Sequence, residues 1–424
     1  MPPLAAHILI IAIVALSVFL MLLRPRNIAE VYWVGSGALL LVVMHLIPIS
    51  LAGRAVAKGT DVYLFLAGMM LLSELARENG VFDWMASFAI RHARRSARRL
   101  FVLLYLFGVV VTVCLSNDAT AVVLTPAVLA SVRRARIDPL PFLFACAMIA
   151  NAASFVLPIS NPANLVVFHS GMPPLGRWLG SFLLPSVLSI LVTYFVLRLY
   201  FRRELQGSIE GNPEAVKLDA NGKLVLAGLG IIFAVLLITS GFGKDLGLPT
   251  FVSAVVIVAV VLVRTRSSPA PLLRHISWST LGLVAALFIL VEAMESIGAL
   301  SFTQRALAGA GHLAAPAGAL AVGFTVGVAN NLLNNLPVGL IAANTLALTH
   351  TQGLLRDVTL IAVDLGPNLS VTGSLATILW LLALRREGLH VTAVDFLKAG
   401  LIAMPLALLA SIAGSLCVNL LSAH

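Results

Sequence analysis

The chain has 424 residues, 60% of them hydrophobic and only 11% charged, with a mean hydropathy of +1.01. Soluble domains run near half apolar and a quarter charged, so no water-soluble fold hides this much apolar surface; the composition describes a polytopic membrane protein. The formal charge of +10, from 28 Lys+Arg against 18 Asp+Glu, would suggest nucleic acid in a soluble chain. Here the basic residues fall in short stretches between apolar runs, where positive charge keeps cytoplasmic loops inside. No nucleic-acid partner is expected.

Apolar runs close to the roughly 20 residues a spanning helix needs follow one another along the chain. Ala5–Leu23 reads as the first membrane helix, since no basic residue precedes it as in a cleavable signal. Further helices are expected at Val31–Ile49, Asp61–Ala76, Leu140–Ser170 and Leu179–Leu199, with a re-entrant pair at Leu100–Leu115 and Ala119–Val132 joined by Ser116–Asp118. The second half repeats the plan with helices at Leu224–Thr239, Thr250–Val263, Ile276–Ala299, Leu354–Leu384 and Ala393–Leu420. Its own pair, Leu313–Val328 and Leu336–Leu348, is joined by polar residues around Asn330–Asn335.

The charges test this topology. With the N-terminus outside and both pairs re-entrant, most basic residues collect on the inner side. Only Arg54, Lys58, Arg177, Lys244, Arg305 and Arg356 are left on the other. A full crossing by either pair would erase that bias. The polar stretch Phe201–Lys223, with Gly207, Gly211 and Pro213, reads as a cytoplasmic linker. The expected fold is therefore an all-α polytopic membrane protein of two inverted repeats, each with five transmembrane helices, a re-entrant hairpin and a broken helix. Residues 1–205 form the N-terminal repeat with its hairpin entering from inside. Residues 206–223 form the linker, and 224–424 the C-terminal repeat with its hairpin entering from outside. Both termini lie outside the inner (plasma) membrane. Inverted repeats with a binding site at the midplane are a recurring plan of secondary transporters.

Polar residues cluster where the helices break. The first half has Ser116 and Asn117 at the hairpin tip, then Asn151, Ser160, Asn161 and Asn164. The second has Asn334 and Asn335, then Asp364, Asn368, Gly373, Ser374 and Thr377. Pro126, Pro158, Pro162, Pro337 and Pro367 sit beside them and stop helices by removing a donor. Interrupted backbone is tolerated at membrane depth only against protein or a water-filled cavity. Its freed amides and carbonyls, with Asn and Ser side chains, then suit a small polar solute. The competing reading is interhelical hydrogen bonding that only holds the bundle together.

Asp118 at the first tip and Asp364 at the second break have no basic neighbour in sequence. A lone ionised carboxylate at that depth is costly, which marks both for proton coupling. Glu74, Glu292 and Glu295 lie near predicted helix ends. The histidines are scattered and form no HExxH, and there is no Walker A sequence. Neither a catalytic residue nor a metal site or cofactor is expected. Cys114, Cys146 and Cys417 lie in separate apolar runs with no metal or disulfide spacing.

Three stretches carry a resemblance. They are Ser116–Pro126 (SNDATAVVLTP), Asn334–Leu340 (NNLPVGL) and Asp364–Trp380 (DLGPNL…TGSLATILW), and with them the chain resembles the arsenite efflux permeases of the ion transporter superfamily over almost its whole length. The resemblance implies export of trivalent arsenite and antimonite in exchange for protons. In some members a cytoplasmic arsenite-stimulated ATPase also takes part. One departure matters: where those permeases more often carry Asp, this chain has Asn151, which cannot titrate. Proton carriage then falls to Asp118 and Asp364. The alternatives are a sodium/proton antiporter of the same superfamily, which would use the same two acids, and an anion symporter. The latter would be expected to offer positive half-helix ends or an Arg to its substrate, and no Arg falls inside the hairpin tips or helix breaks.

Overall fold

The structure is a computed structural model that describes residues 3–169, 171–209 and 216–422. Gly211 and Pro213 of the expected linker, and Ser170 at the end of one expected span, lie outside the described residues. Among the described residues every regular element is a helix, and the sole extended pairing is an isolated bridge between Ser96 and Ser208.

The first half contains α1 (Pro3–Leu23), α2 (Glu30–Val43), α3 (Ile49–Lys58), α4 (Thr60–Glu78), α5 (Val81–His92), α6 (Ala97–Cys114), α7 (Thr125–Arg134), α8 (Leu140–Ala152), α9 (Pro162–Val167) and α10 (Leu175–Tyr200). The second contains α11 (Ala220–Gly241), α12 (Gly247–Thr265), α13 (Ala270–His275), α14 (Trp278–Ser296), α15 (Ser301–Gly311), α16 (Ala315–Leu333), α17 (Asn335–Leu348), α18 (Leu354–Leu365), α19 (Leu375–Arg386) and α20 (Ala393–Ser422). Long, short and interrupted helices thus come in the same order twice. The halves are interlocked: α12 packs on α4, α2 packs on α14, and α10 lies along α20. At that last seam Gly414 lets α20 approach the Pro185 backbone, where an added Cβ would be crowded. The Ser411 hydroxyl donates to the Pro185 carbonyl at 3.2 Å.

Among the described residues eight helices, α1, α6, α10, α11, α12, α14, α16 and α20, are long and apolar enough to cross a membrane, and α3 with α4 makes a ninth if the 49° bend between them lies within one span. α1, α11 and α12 bury the least of their surface, as lipid-facing helices should. At the centre the pattern reverses. Every residue of α8 from Pro141 to Ala152, and of α18 from Asp357 to Leu365, is buried. A helix buried on all sides needs no polar face, and α8 is apolar except for Asn151 near its end. Phe144 of α8 packs against Trp380 and Phe396, and the Trp380 indole donates to the Leu143 carbonyl at 3.1 Å. That bond ties α19 to the other half.

Several expectations need correction. The span Val31–Ile49 is not one helix. α2 ends at Val43, His45 takes the left-handed conformation with φ 55°, and Leu46 donates back to the Leu41 carbonyl at 3.0 Å, closing the helix end. α3 then begins after Pro48 and carries Arg54 and Lys58. α5 and α15 occupy stretches read as loops. The second pair begins at Ala315 rather than Leu313, and Asn330 and Asn331 lie inside α16, leaving Asn334 as the connection to α17. The hairpin legs α6 and α16 have 18 and 19 residues. At 1.5 Å per residue that is about 27–29 Å, so their length alone does not mark them as re-entrant.

Candidate functional site

The site is built where α8 and α18 stop. After α8 a turn at Pro158–Ser160 leads to Asn161, whose extended backbone (φ −150°, ψ 132°) and side-chain oxygen cap α9 through the Ala163 amide at 3.0 Å. After α18, turns at Gly366–Asn368 and Val371–Gly373 lead to Ser374. Its extended backbone (φ −145°, ψ 157°) and hydroxyl cap α19 through the Thr377 amide at 3.1 Å. Ser374 and Thr377 also share a hydroxyl–hydroxyl bond of 2.7 Å. Pro at the first helical position and Ser or Asn before it are ordinary helix starts. Placed in the buried centre of the helix bundle, they make a start where a helix should continue.

The carbonyls released by each break find asparagine donors. Asn164 Nδ2 donates to the carbonyls of Ser154 (2.9 Å), Leu157 (3.2 Å) and Pro158 (3.3 Å). For the second break the donors come from α16. Asn330 Nδ2 reaches the carbonyls of Ala362 (2.7 Å) and Val363 (3.1 Å), and Asn331 Nδ2 reaches that of Gly366 (3.0 Å). Asn331 Oδ1 accepts from the Ser370 amide (3.0 Å) and hydroxyl (2.8 Å), and its carbonyl accepts from Thr372 Oγ1 (2.9 Å). Gly373 passes so close that a Cβ there would collide with Pro367 and with Asn331 Oδ1.

The two breaks meet side by side. Asn161 Nδ2 donates to Asp364 Oδ1 at 2.7 Å, Asn151 Nδ2 donates to Asn368 Oδ1 at 3.0 Å, and Asn368 Nδ2 donates to the Met148 carbonyl at 2.9 Å. Asp364 is fully buried and has no cationic partner among the described residues. Its Oδ2 makes no hydrogen bond, and neither do the side-chain oxygens of Asn151, Asn164 and Asn330. The nearby Ser154 hydroxyl donates to the Asn151 carbonyl at 2.7 Å. Each of these amide nitrogens is committed to an oxygen, so its orientation follows from its partner. The joint therefore offers acceptor oxygens around one carboxyl in a dry interior, where an uncompensated charge is expensive.

The first hairpin tip faces a different space. Ser116 Oγ accepts from the Ala119 amide at 3.2 Å and Asn117 Oδ1 from the Asp118 amide at 2.9 Å, so both start the chain back into helix. Ser160 Oγ donates to the Val113 carbonyl at 3.3 Å, joining tip to break. Ser116 and half-buried Asp118 line a cavity of about 120 Å³ together with Ser73, Glu74, Ser277, Thr280, Pro162 and Leu375. Pro162 and Leu375 are the first residues of α9 and α19, so both interrupted helices begin on this cavity. Glu74 is paired with Arg77. The other two acids near helix ends are also held, Glu292 by Lys58 at 2.6 Å and Glu295 by Asn344 at 3.0 Å.

The family model described as the citrate transporter, CitMHS, matches residues 4–365. The chain belongs to that family. Over 414 residues it is 28% identical to the arsenical pump membrane protein of Yersinia enterocolitica, covering 92% of this chain and 94% of that one. Over 415 residues it is 26% identical to the protein of the same name from Escherichia coli K12, with the same coverage. These relatives bear out the resemblance to arsenite efflux permeases. Among solved structures the chain is similar to the YdaH transporter of Alcanivorax borkumensis, described as having an unusual topology. The TM-score is 0.56 at 14% identity, over 88% of this chain and 87% of that one; this likeness bears on the fold alone.

This CitMHS member thus gathers its sequence-marked residues into three groups. Asn151, Asn161, Asp364 and Asn368 form the joint. Ser116 and Asp118 belong to the cavity. Asn334, at φ 74°, caps α17 through the Leu336 amide and leans on the Thr372 carbonyl at 3.4 Å, placing the second tip, with buried Asn335, against the second break. Asp118 and Asp364 do not share the cavity wall. Asn330 and Asn331 were missed as site residues, although two adjacent asparagines one helical turn before Asn334–Asn335 are the signal that marks them.

The three cysteines lie on three different helices. Cys146 is buried in α8, Cys114 is half-buried at the end of α6, and Cys417 is exposed near the end of α20. Replacing all three with Ser is expected to leave transport within about twofold of the parent, measured as flux into proteoliposomes. Loss of arsenite binding in the cysteine-free protein would assign the substrate to thiolates instead.

Proposed function

We propose that this transporter exports trivalent arsenite, and antimonite, from the cytoplasm in exchange for protons. The observation that carries the reading is the joint itself: amide, hydroxyl and backbone groups around the carboxyl of Asp364, with no arginine or lysine bonded to either break among the described residues. Arsenious acid is a neutral trihydroxide at pH 7. Its hydroxyls donate and accept, and Asn, Ser, Thr and backbone groups match them without charge. An anion such as the citrate of the family's name would meet the positive ends of α9 and α19 at the cavity but no arginine or lysine bonded to the breaks among the described residues, which weighs toward a neutral solute. The similarity to proteins named arsenical pumps favours the same substrate.

In this reading Ser116, Asn117, Asn151, Ser160, Asn161, Asn164, Asn334, Asn335, Asn368, Gly373, Ser374 and Thr377 make up the substrate path. Asp364 carries the proton at the joint, and Asp118 receives or releases it at the cavity. The helix order repeated in 1–205 and 224–424 supports two inverted repeats joined by the 206–223 linker. The inner membrane, with both termini outside, is the location the basic loops favour. A cytoplasmic ATPase is a partner seen in some arsenite permeases and is testable by co-purification.

The test is arsenite uptake into everted vesicles or proteoliposomes of the purified protein, with an imposed pH gradient and no sodium. Accumulation that a protonophore collapses is the expected result. Sodium-dependent dissipation of the pH gradient with no arsenite flux would replace this reading with a sodium/proton antiporter.

A further inference from the structure

We propose that a cavity at the ends of α6 and α10 binds the phosphate headgroup of an anionic phospholipid. The inference does not rest on the arsenite reading. The cavity, of about 380 Å³, is lined by three arginines, Arg98, Arg198 and Arg202, and by Phe195, Leu199 and Leu205. No carboxylate lines it, and none of the three guanidinium groups has an ion-pair partner among the described residues. Glu204 follows Arg202 closely in sequence but is exposed and does not line the cavity. Arg198 leans instead on Tyr194, by a 3.4 Å bond to its hydroxyl and by its place over the ring.

The place in the fold says what fills the cavity. α6 and α10 are both long and apolar enough to span, so their ends lie at headgroup depth. Arg98 opens α6, and Arg198 and Arg202 close α10. Leu199, next to the end of α10, and Phe195, about one turn further in, are 67% and 58% exposed, an apolar strip running away from the arginines as an acyl chain would. Convergent arginines above an apolar wall match a phosphodiester with hydrocarbon attached: guanidinium forks suit phosphate oxygens, and basic pockets between spanning helices hold anionic headgroups.

The pocket is also held in shape. The chain after α10 turns at Glu204–Gln206 and pairs with the segment before α6. Ile209 donates to the Arg95 carbonyl at 3.0 Å, Ala97 donates to the Gly207 carbonyl at 3.4 Å, and Ser96 bridges Ser208. Buried Leu205 forms the floor. The backbone of Arg98 is thereby held beside the end of α10.

Native mass spectrometry of the full-length protein, purified with membrane lipid and then stripped by detergent, reads this directly. The wild type is expected to keep phosphatidylglycerol or cardiolipin after phosphatidylcholine is lost. Each single Arg→Ala change should weaken retention about fivefold, from roughly 1 kcal/mol per basic residue near an anionic surface, and Arg98→Ala/Arg198→Ala/Arg202→Ala should abolish it. A control triple, Arg264→Ala/Arg266→Ala/Arg274→Ala, should retain lipid like the wild type. If the first triple fails to fold, the single reversals Arg98→Glu and Arg202→Glu carry the test against Arg264→Glu. Equal retention of phosphatidylcholine, or equal loss in the control variants, would overturn the proposal. Inorganic phosphate that displaces the lipid from the wild type would assign the cavity to a soluble anion and overturn it too.

Discussion

Asp364→Asn is expected to abolish proton-driven arsenite accumulation while leaving a folded protein. The substitution keeps the volume of the side chain and keeps an oxygen for the Asn161 amide, which donates to Asp364 Oδ1 at 2.7 Å. At the Oδ2 position, which makes no hydrogen bond in the parent, it puts an NH2 group among the acceptor oxygens of the joint. Packing and the bond between the halves therefore survive. What is lost is the proton: an amide does not titrate, and no other acid sits in the joint among the described residues. In proteoliposomes with an imposed pH gradient, arsenite uptake should fall to the level of empty vesicles. Exchange of labelled for unlabelled arsenite without a gradient should persist, because that cycle moves no net proton. Elution volume and melting temperature should match the parent. Gradient-driven uptake at full rate in this variant would remove Asp364 from the coupling mechanism, and loss of both uptake and exchange would make it a binding residue.

The architecture was legible because its causes are compositional. Apolar runs of spanning length, polar residues at fixed places between them and a biased charge distribution each report a physical requirement of the bilayer. The breaks in α8–α9 and α18–α19 could be read from Pro beside Asn or Ser, since each such pair is a helix start in the wrong place. What could not be read was pairing in space. Nothing in the sequence says that Asn161 turns to Asp364 while Asn151 turns to Asn368, because those partners lie in opposite halves of the chain. Nor could spacing separate Asp118 from Asp364. Both are isolated acids in apolar surroundings, yet one lines a cavity with Glu74 and the other is sealed between helices. α5 and α15 escaped because they are short and carry charges, so hydropathy alone treats them as loops. α3 escaped because a basic amphipathic helix reads as a basic loop when only charge is counted.

Asn331 is the residue on which the second break should prove most sensitive. It stands on α16, outside the interrupted segment, and binds it with both ends of its amide, by Nδ2 to the Gly366 carbonyl and by Oδ1 to the Ser370 amide and hydroxyl. Its main-chain carbonyl adds Thr372 Oγ1. Asn331→Ala strips the side-chain bonds, leaves the Ser370 amide without its partner and leaves the Gly366 carbonyl with the Leu369 amide alone. At about 1–3 kcal/mol for a polar group left unsatisfied in the interior, the expected loss is about 1–3 kcal/mol of stability, read as a lowered melting temperature in detergent. Transport should suffer more than the melting point suggests, because Ser374 and the start of α19 depend on this turn for their position. Asn331→Asp separates the two roles: it keeps acceptance from Ser370 but cannot donate to Gly366. If Asn331 positions the break, the Asp variant should recover part of the stability, and its transport defect should show as a raised KM for arsenite rather than a matched fall in maximal rate. An Ala variant that melts and transports like the parent would mean that the break is held by α18 and α20 alone, where Gly400 lets α20 pass against the carbonyls of Asn368 and Leu369.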